Sequence, residues 1–219
     1  MQQVLKLIAY AIGLWLNLKV ISALARGSYR QYPFVFAYAV ALLLSTVVEI
    51  VVNPFEPSRL YSYYYWSDEL LLDILVFCVV IAFIDAAARH STRKQPIERR
   101  WLILAAALIL VGSFAIHRNL HFNRLMTLVT RDLNICAVIL DLILWSLLVT
   151  ARRPNRRLML LSGGLGLQLA GAIMGEQLRN FSHRLLLTGT LLEISTGLLA
   201  LYIWWRALRT APAADGESV

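Results

Sequence analysis

Lysine is confined to Lys6, Lys19 and Lys94 in this chain of 219 residues, and cysteine to Cys78 and Cys136. Both cysteines fall inside apolar runs, so the sequence reads as having no disulfide framework and they read as small core residues. Charge is scarce too: 16% of residues are charged against 59% hydrophobic, and the mean hydropathy is +0.64. A soluble globular domain does not have that balance, and an integral membrane protein does. Proline is missing from the interior of every apolar run, since Pro33, Pro54, Pro57, Pro96, Pro154 and Pro212 all fall at ends or between runs. Broken helices and paired repeats of the kind many secondary transporters use are therefore not expected.

Several chemistries are excluded by missing motifs. The sequence contains no HExxH, no GxSxG and no Walker sequence. The last apolar run holds no lysine for a retinal Schiff base, and no histidine pair lies deep on facing spans to carry haem. His117 and His121 share a spacing of four in HRNLH, which could hold a metal on a helix face, but no zinc-enzyme pattern accompanies them. No cofactor and no catalytic or metal site is expected. The net charge of +8 would suit nucleic acid, but the basic residues cluster in short runs between apolar stretches, where they orient a membrane protein. No nucleic-acid partner is expected.

What is present is a series of spans. A bilayer core of about 30 Å takes about 20 apolar residues as a helix, and segments near 4–25, 33–53, 67–88, 101–117, 132–151, 158–178 and 185–206 meet that length. The fold class read from the sequence is all-α, a polytopic bundle of seven transmembrane helices. The first run is expected to be a retained helix rather than a cleaved signal. Residues 1–206 are expected to form the bundle and 207–219 a disordered cytoplasmic tail, with no attached soluble domain. The densest basic runs, RHSTRKQPIERR at 89–100, RRPNRR at 152–157 and WWRALR at 204–209, fall on one side of seven spans. By the positive-inside rule that side is cytoplasmic, with the amino terminus outside and a bacterial cytoplasmic membrane as the setting. Arg118, Arg124 and Arg131, in the expected 117–131 connection, run against this rule.

The stretch YSYYYWSDELLLDILVF at 61–77 joins aromatics, carboxylates and an apolar run. Tyr and Trp concentrate at membrane interfaces, so an aromatic belt is expected, with a cage for a cationic ligand as the alternative. Ser67 is expected to cap the third helix, with Asp68 and Glu69 in its first turn. Asp73 lies one turn deeper, where an ionisable residue in a span marks a functional site or a satisfied structural bond. Glu49, Asp141, Gln168 and Glu193 repeat the pattern on other spans, most of them in the outer half; with Glu69 and Asp73 they form the candidate polar site. The histidines His117, His121 and His183 also fall toward that side. Gly164, Gly171 and Gly175 share a face of the sixth helix with Gln168, and Gly189 shares a face of the seventh with Glu193, a pattern that lets two helices pack closely. Lys19 reads as snorkelling to the inner interface or pairing with Asp85.

The segment Y-x-Y-Y-Y-W-x-x-E, Tyr61 to Glu69, resembles one that recurs in bacterial seven-helix membrane proteins of unassigned function. The topology also resembles sensory seven-helix modules, which are usually fused to an output domain. Neither likeness carries a functional residue over. The function expected is a non-enzymatic, receptor-like or accessory membrane subunit that binds a ligand or a membrane partner through its extracytoplasmic half. Small-solute or ion-coupled transport is the alternative, and an intramembrane enzyme comes third.

Overall fold

The computed structural model describes residues 2–52, 59–89, 99–119, 121–150, 155–182 and 185–209. Seven α-helices follow one another: α1 (Gln2–Ala25), α2 (Pro33–Val52), α3 (Arg59–Arg89), α4 (Arg99–His117), α5 (Phe122–Thr150), α6 (Arg156–Phe181) and α7 (Leu186–Arg209), with a 3₁₀ turn at Ser28–Arg30 between the first two. No strand occurs among the described residues. Six of the helices are long and apolar enough to cross a membrane; in α4 the apolar part among the described residues is the shorter Ala107–His117. The protein is a multi-pass membrane protein. Its exposed large side chains include many aliphatic ones, Leu108, Val111, Ile116, Leu142 and Val149 among them, as expected of a surface that meets lipid rather than water.

Six helices close into a ring in the order α1, α2, α3, α5, α6, α7, and α4 packs outside it against α5 and α3. The centre is filled by Val20, Leu24, Phe83, Leu144, Leu161, Leu165 and Trp204. Trp204 satisfies its indole by donating Nε1–H to the Leu161 carbonyl at 2.8 Å, and its ring meets Tyr38 edge-on at 5.8 Å, tying α7 to α6 and α2. The turn after α1 depends on Gly27, whose φ of 132° side chains rarely adopt.

Glycines set the closest contact, between α6 and α7. A Cβ on Gly175 would stand 2.8 Å from the Gly189 carbonyl oxygen, one on Gly164 would meet the Trp204 ring at 2.6 Å, and one on Gly171 would overlap the Thr196 hydroxyl. Without a hydrophobic drive between helices in lipid, such close backbone approach supplies the packing.

Three boundaries differ from the sequence expectation. Helix α3 begins at Arg59, so Tyr61 to Glu69 lie inside it and Ser67 caps nothing; its 31 residues rise about 46 Å at about 1.5 Å each, more than a bilayer core, and the aromatic turn extends past the apolar segment. The expected 117–131 connection is mostly helix, because α5 starts at Phe122 and carries Arg124 and Arg131. Helix α7 continues to Arg209, with Ala207 and Leu208 buried, so these residues belong to the bundle rather than the tail. The basic segments 90–98 and 151–154, His183, and the tail from 210 onward lie outside the described residues.

Candidate functional site

The helical period places one face of each of three helices around a single space. Tyr10, Gly13, Leu14 and Asn17 line it from α1, Leu42, Thr46 and Glu49 from α2, and Thr190, Glu193, Ile194, Gly197, Leu198 and Leu201 from α7. Gln168 and Arg179 of α6 and Tyr65 of α3 complete the wall of a cavity of about 620 Å³. Small residues leave this room: a Cβ built on Gly197 meets nothing within 4 Å, and one on Gly13 only touches Leu198 at 3.6 Å.

Charge collects at one end. The Tyr10 hydroxyl donates to Glu49 Oε1 at 2.8 Å, joining α1 to α2, and Arg179 pairs with Glu193, joining α6 to α7. Two turns further along α1 from Tyr10 lies Asn17, only 2% exposed, whose Oδ1 has no hydrogen-bond partner. A buried amide oxygen without a partner is costly, and a native structure keeps one for a reason.

On α3, Glu69 stands within electrostatic range of Glu49, Asp68, Glu176 and Glu193. Asp73, one turn deeper and 7% exposed, has Oδ2 unpartnered and lies in range of Glu69 and Tyr38. Gln168 Nε2 donates to the Tyr38 hydroxyl at 2.6 Å, so the cavity wall reaches these acids through α2. Glu49, Glu69, Asp73, Gln168 and Glu193 thus occupy one neighbourhood.

Asp141 does not join them. Ser162 donates to its Oδ1 at 2.8 Å, and its Oδ2 is held against Gly166, both in the half of α6 nearer Arg156. It sits in the α5–α6 seam toward the opposite end of the bundle. Asp68 is a crosslink rather than a cap, accepting a hydrogen bond from Ser45 of α2. The aromatic turn is more than a belt: Tyr63 packs on Phe122 at 4.8 Å, and Trp66 donates to Asn123 at 3.2 Å, clamping α3 to the start of α5. At the far end the Lys19 ammonium stands over the Trp15 ring at 5.3 Å.

A second polar group lies between α4 and α5. Ser113 donates to Asp132 Oδ2 at 2.8 Å, His117 Nδ1 lies 2.9 Å from the Ser113 carbonyl oxygen and 3.8 Å from Asp132, and Arg131 approaches Asp132 at 3.7 Å. The residue types are those of a hydrolase triad, but the serine bonds the carboxylate directly and the imidazole does not stand between them, so no nucleophile and base are paired. No group of three or more His, Cys, Asp and Glu side chains among the described residues could hold a metal ion.

Sequence reasoning missed Tyr10, Asn17 and Tyr38. Asn17, a polar residue in the middle of an apolar span, carried the one available signal. The two tyrosines read as ordinary aromatic lining until their partners are known. Comparison with protein-family models, with curated proteins and with solved structures finds no match to this chain.

Proposed function

We propose that this chain is a non-enzymatic, receptor-like or accessory subunit of the bacterial cytoplasmic membrane that binds a small ligand in the cavity between α1, α2, α6 and α7. The observation that carries the reading is a cavity of about 620 Å³ whose lining residues include Asn17, a buried amide with an unpartnered Oδ1. Ligand sites commonly measure about 300–1,000 Å³ and combine apolar walls with a few convergent polar groups. Further along α1 and α7, Val20, Leu24, Trp204 and Ala207 are fully buried, which supports a binding pocket rather than a passage.

The orientation belongs to the same proposal. In this reading α4, whose 19 residues rise about 28 Å, makes a seventh crossing. With seven crossings the basic runs at 89–100, 152–157 and 204–209 share the end opposite Glu49 and Glu193, which makes the cavity end extracytoplasmic. A cysteine placed at 93 or 155 then resists an impermeant thiol reagent on intact cells, while one at 121 reacts; the reverse pattern overturns the orientation.

Native mass spectrometry of the full chain from mild detergent tests the binding. The wild type should retain a small-molecule adduct that Gly197→Leu, which fills the cavity where a Cβ meets nothing, removes. Gly112→Leu, at an equally open position on α4, should keep it. Equal adducts in all three overturn the site, and solute flux through proteoliposomes would favour transport.

A further inference from the structure

The chemistry of the cavity wall restricts what can occupy it. Its donors are largely engaged: Tyr10 donates to Glu49, Gln168 Nε2 to Tyr38, and the Thr46 and Thr190 hydroxyls to the Leu42 and Leu186 carbonyls one turn back. Arg179, the one cation of the wall among the described residues, is matched by Glu193. The Tyr65 hydroxyl and the Asn17 amide nitrogen are the other side-chain donors of the wall. The acceptors are less committed. Asn17 Oδ1 has no partner, and Glu49 receives a hydrogen bond from Tyr10 on one oxygen while lying exposed. Behind the wall, the Glu69 carboxyl stands within electrostatic range of both cavity glutamates and of Asp68 and Glu176.

Like charges held together in a medium of low dielectric repel strongly, and a cation placed among them relieves that repulsion. An anion would face two glutamates and a single arginine already matched. An uncharged apolar molecule would leave the Asn17 oxygen as it is. A bare metal ion needs about six or more oxygens at about 2.3–2.6 Å or an equivalent set, and the cavity is far larger than that. Leu14, Leu42, Ile194 and Leu198 line the remainder and suit an apolar body.

We infer that the cavity binds an organic cation, an ammonium or guanidinium compound whose charge lies toward Glu49 and Glu193, whose apolar body packs on the leucines, and whose second hydrogen-bond donor reaches Asn17. This deepens the ligand-binding reading above and rests on it.

Three probes that share one phenol body provide the test: tyramine, its neutral N-acetyl derivative, and 4-hydroxyphenylacetate, each titrated against the purified full chain in detergent by thermal shift and calorimetry. Tyramine should bind at least about tenfold more tightly than either of the others, as expected where a charge-assisted bond is lost. Glu49→Gln, which keeps the Tyr10 bond, and Asn17→Leu should each weaken tyramine by about tenfold, and Gly197→Leu should abolish binding. Equal binding of the neutral or acidic probe, tyramine binding indifferent to Glu49→Gln and Asn17→Leu, or no binding by any of the three overturns the cation class. If the mass-spectrometric adduct is still lost in Gly197→Leu, the cavity reading survives that outcome; if the adduct is also unchanged, both fall.

Discussion

Two parts of the bundle bury polar groups in apolar helices and resolve the problem differently. Between α4 and α5, Ser113, His117, Arg131 and Asp132 meet one another, and the groove beside them, about 340 Å³ and otherwise lined by Leu108, Ile109, Ile116 and Ile135, faces outward. Between α1, α2, α6 and α7 the polar groups stand around a space and leave Asn17 Oδ1 without a partner, with Asp73 Oδ2 nearby in the same condition. The α4–α5 cluster satisfies its carboxylate from within, although Arg131 Nε is left without a partner, and a satisfied polar group contributes to stability. An unsatisfied one lowers stability, and proteins keep such groups where function uses them.

The largest expected effect separates the two regions by packing. Gly189→Leu drives a side chain into the Gly175 carbonyl oxygen, 2.5 Å from the Cβ position, and into Arg179. Overpacking of this kind costs about 3 kcal/mol or more when backbone must move. Gly112→Leu on α4 meets open space and should change stability by less than about 0.5 kcal/mol. Thermal unfolding in one detergent compares them, and equal values would remove the α6–α7 contact as the tight seam.

The next prediction concerns sign. Asn17→Leu removes an unpartnered buried amide, so it should raise stability by about 1–2 kcal/mol while weakening ligand binding. Ser113→Ala takes a donor from Asp132 and should lower stability by about 1 kcal/mol with no effect on the adduct. If both variants are destabilised, Asn17 is an ordinary core residue and the contrast fails.

A finer comparison sits on α3 alone. Asp68→Ala loses the Ser45 crosslink and should cost about 1 kcal/mol. Asp73→Asn keeps the size of a buried acid whose Oδ2 has no partner and removes its charge, so stability should rise slightly, by about 1 kcal/mol at most. Parallel losses in the two variants would make Asp73 one more structural acid.

Much of the scaffold was legible in the sequence because it follows from short-range rules. Apolar runs longer than a bilayer core, proline kept to their ends, and glycines at three- and four-residue spacing each depend on neighbours along one helix. The structure puts Gly164, Gly171, Gly175 and Gly189 in the α6–α7 contact where that spacing points. The start of α3 was misplaced for an equally local reason. Ser67-Asp68-Glu69 has the composition of a helix cap, whereas the packing of Tyr63 on Phe122 and the Trp66–Asn123 bond hold the preceding aromatic turn against α5.

By itself, then, the sequence determined a membrane-embedded all-helical chain, its helix order, the small-residue faces of α6 and α7 and the end toward which most of its acids fall. The tertiary structure alone decided which of those acids share a space: it drew Glu49, Glu69, Asp73 and Glu193 toward one cavity, added Asn17 and Tyr10, and sent Asp141 to Ser162 in another seam. A helical period fixes a residue's direction from its own axis, but its partner depends on how neighbouring helices are rotated and shifted, and that is set by close contacts such as Gly175 on Gly189 rather than by any spacing within one helix.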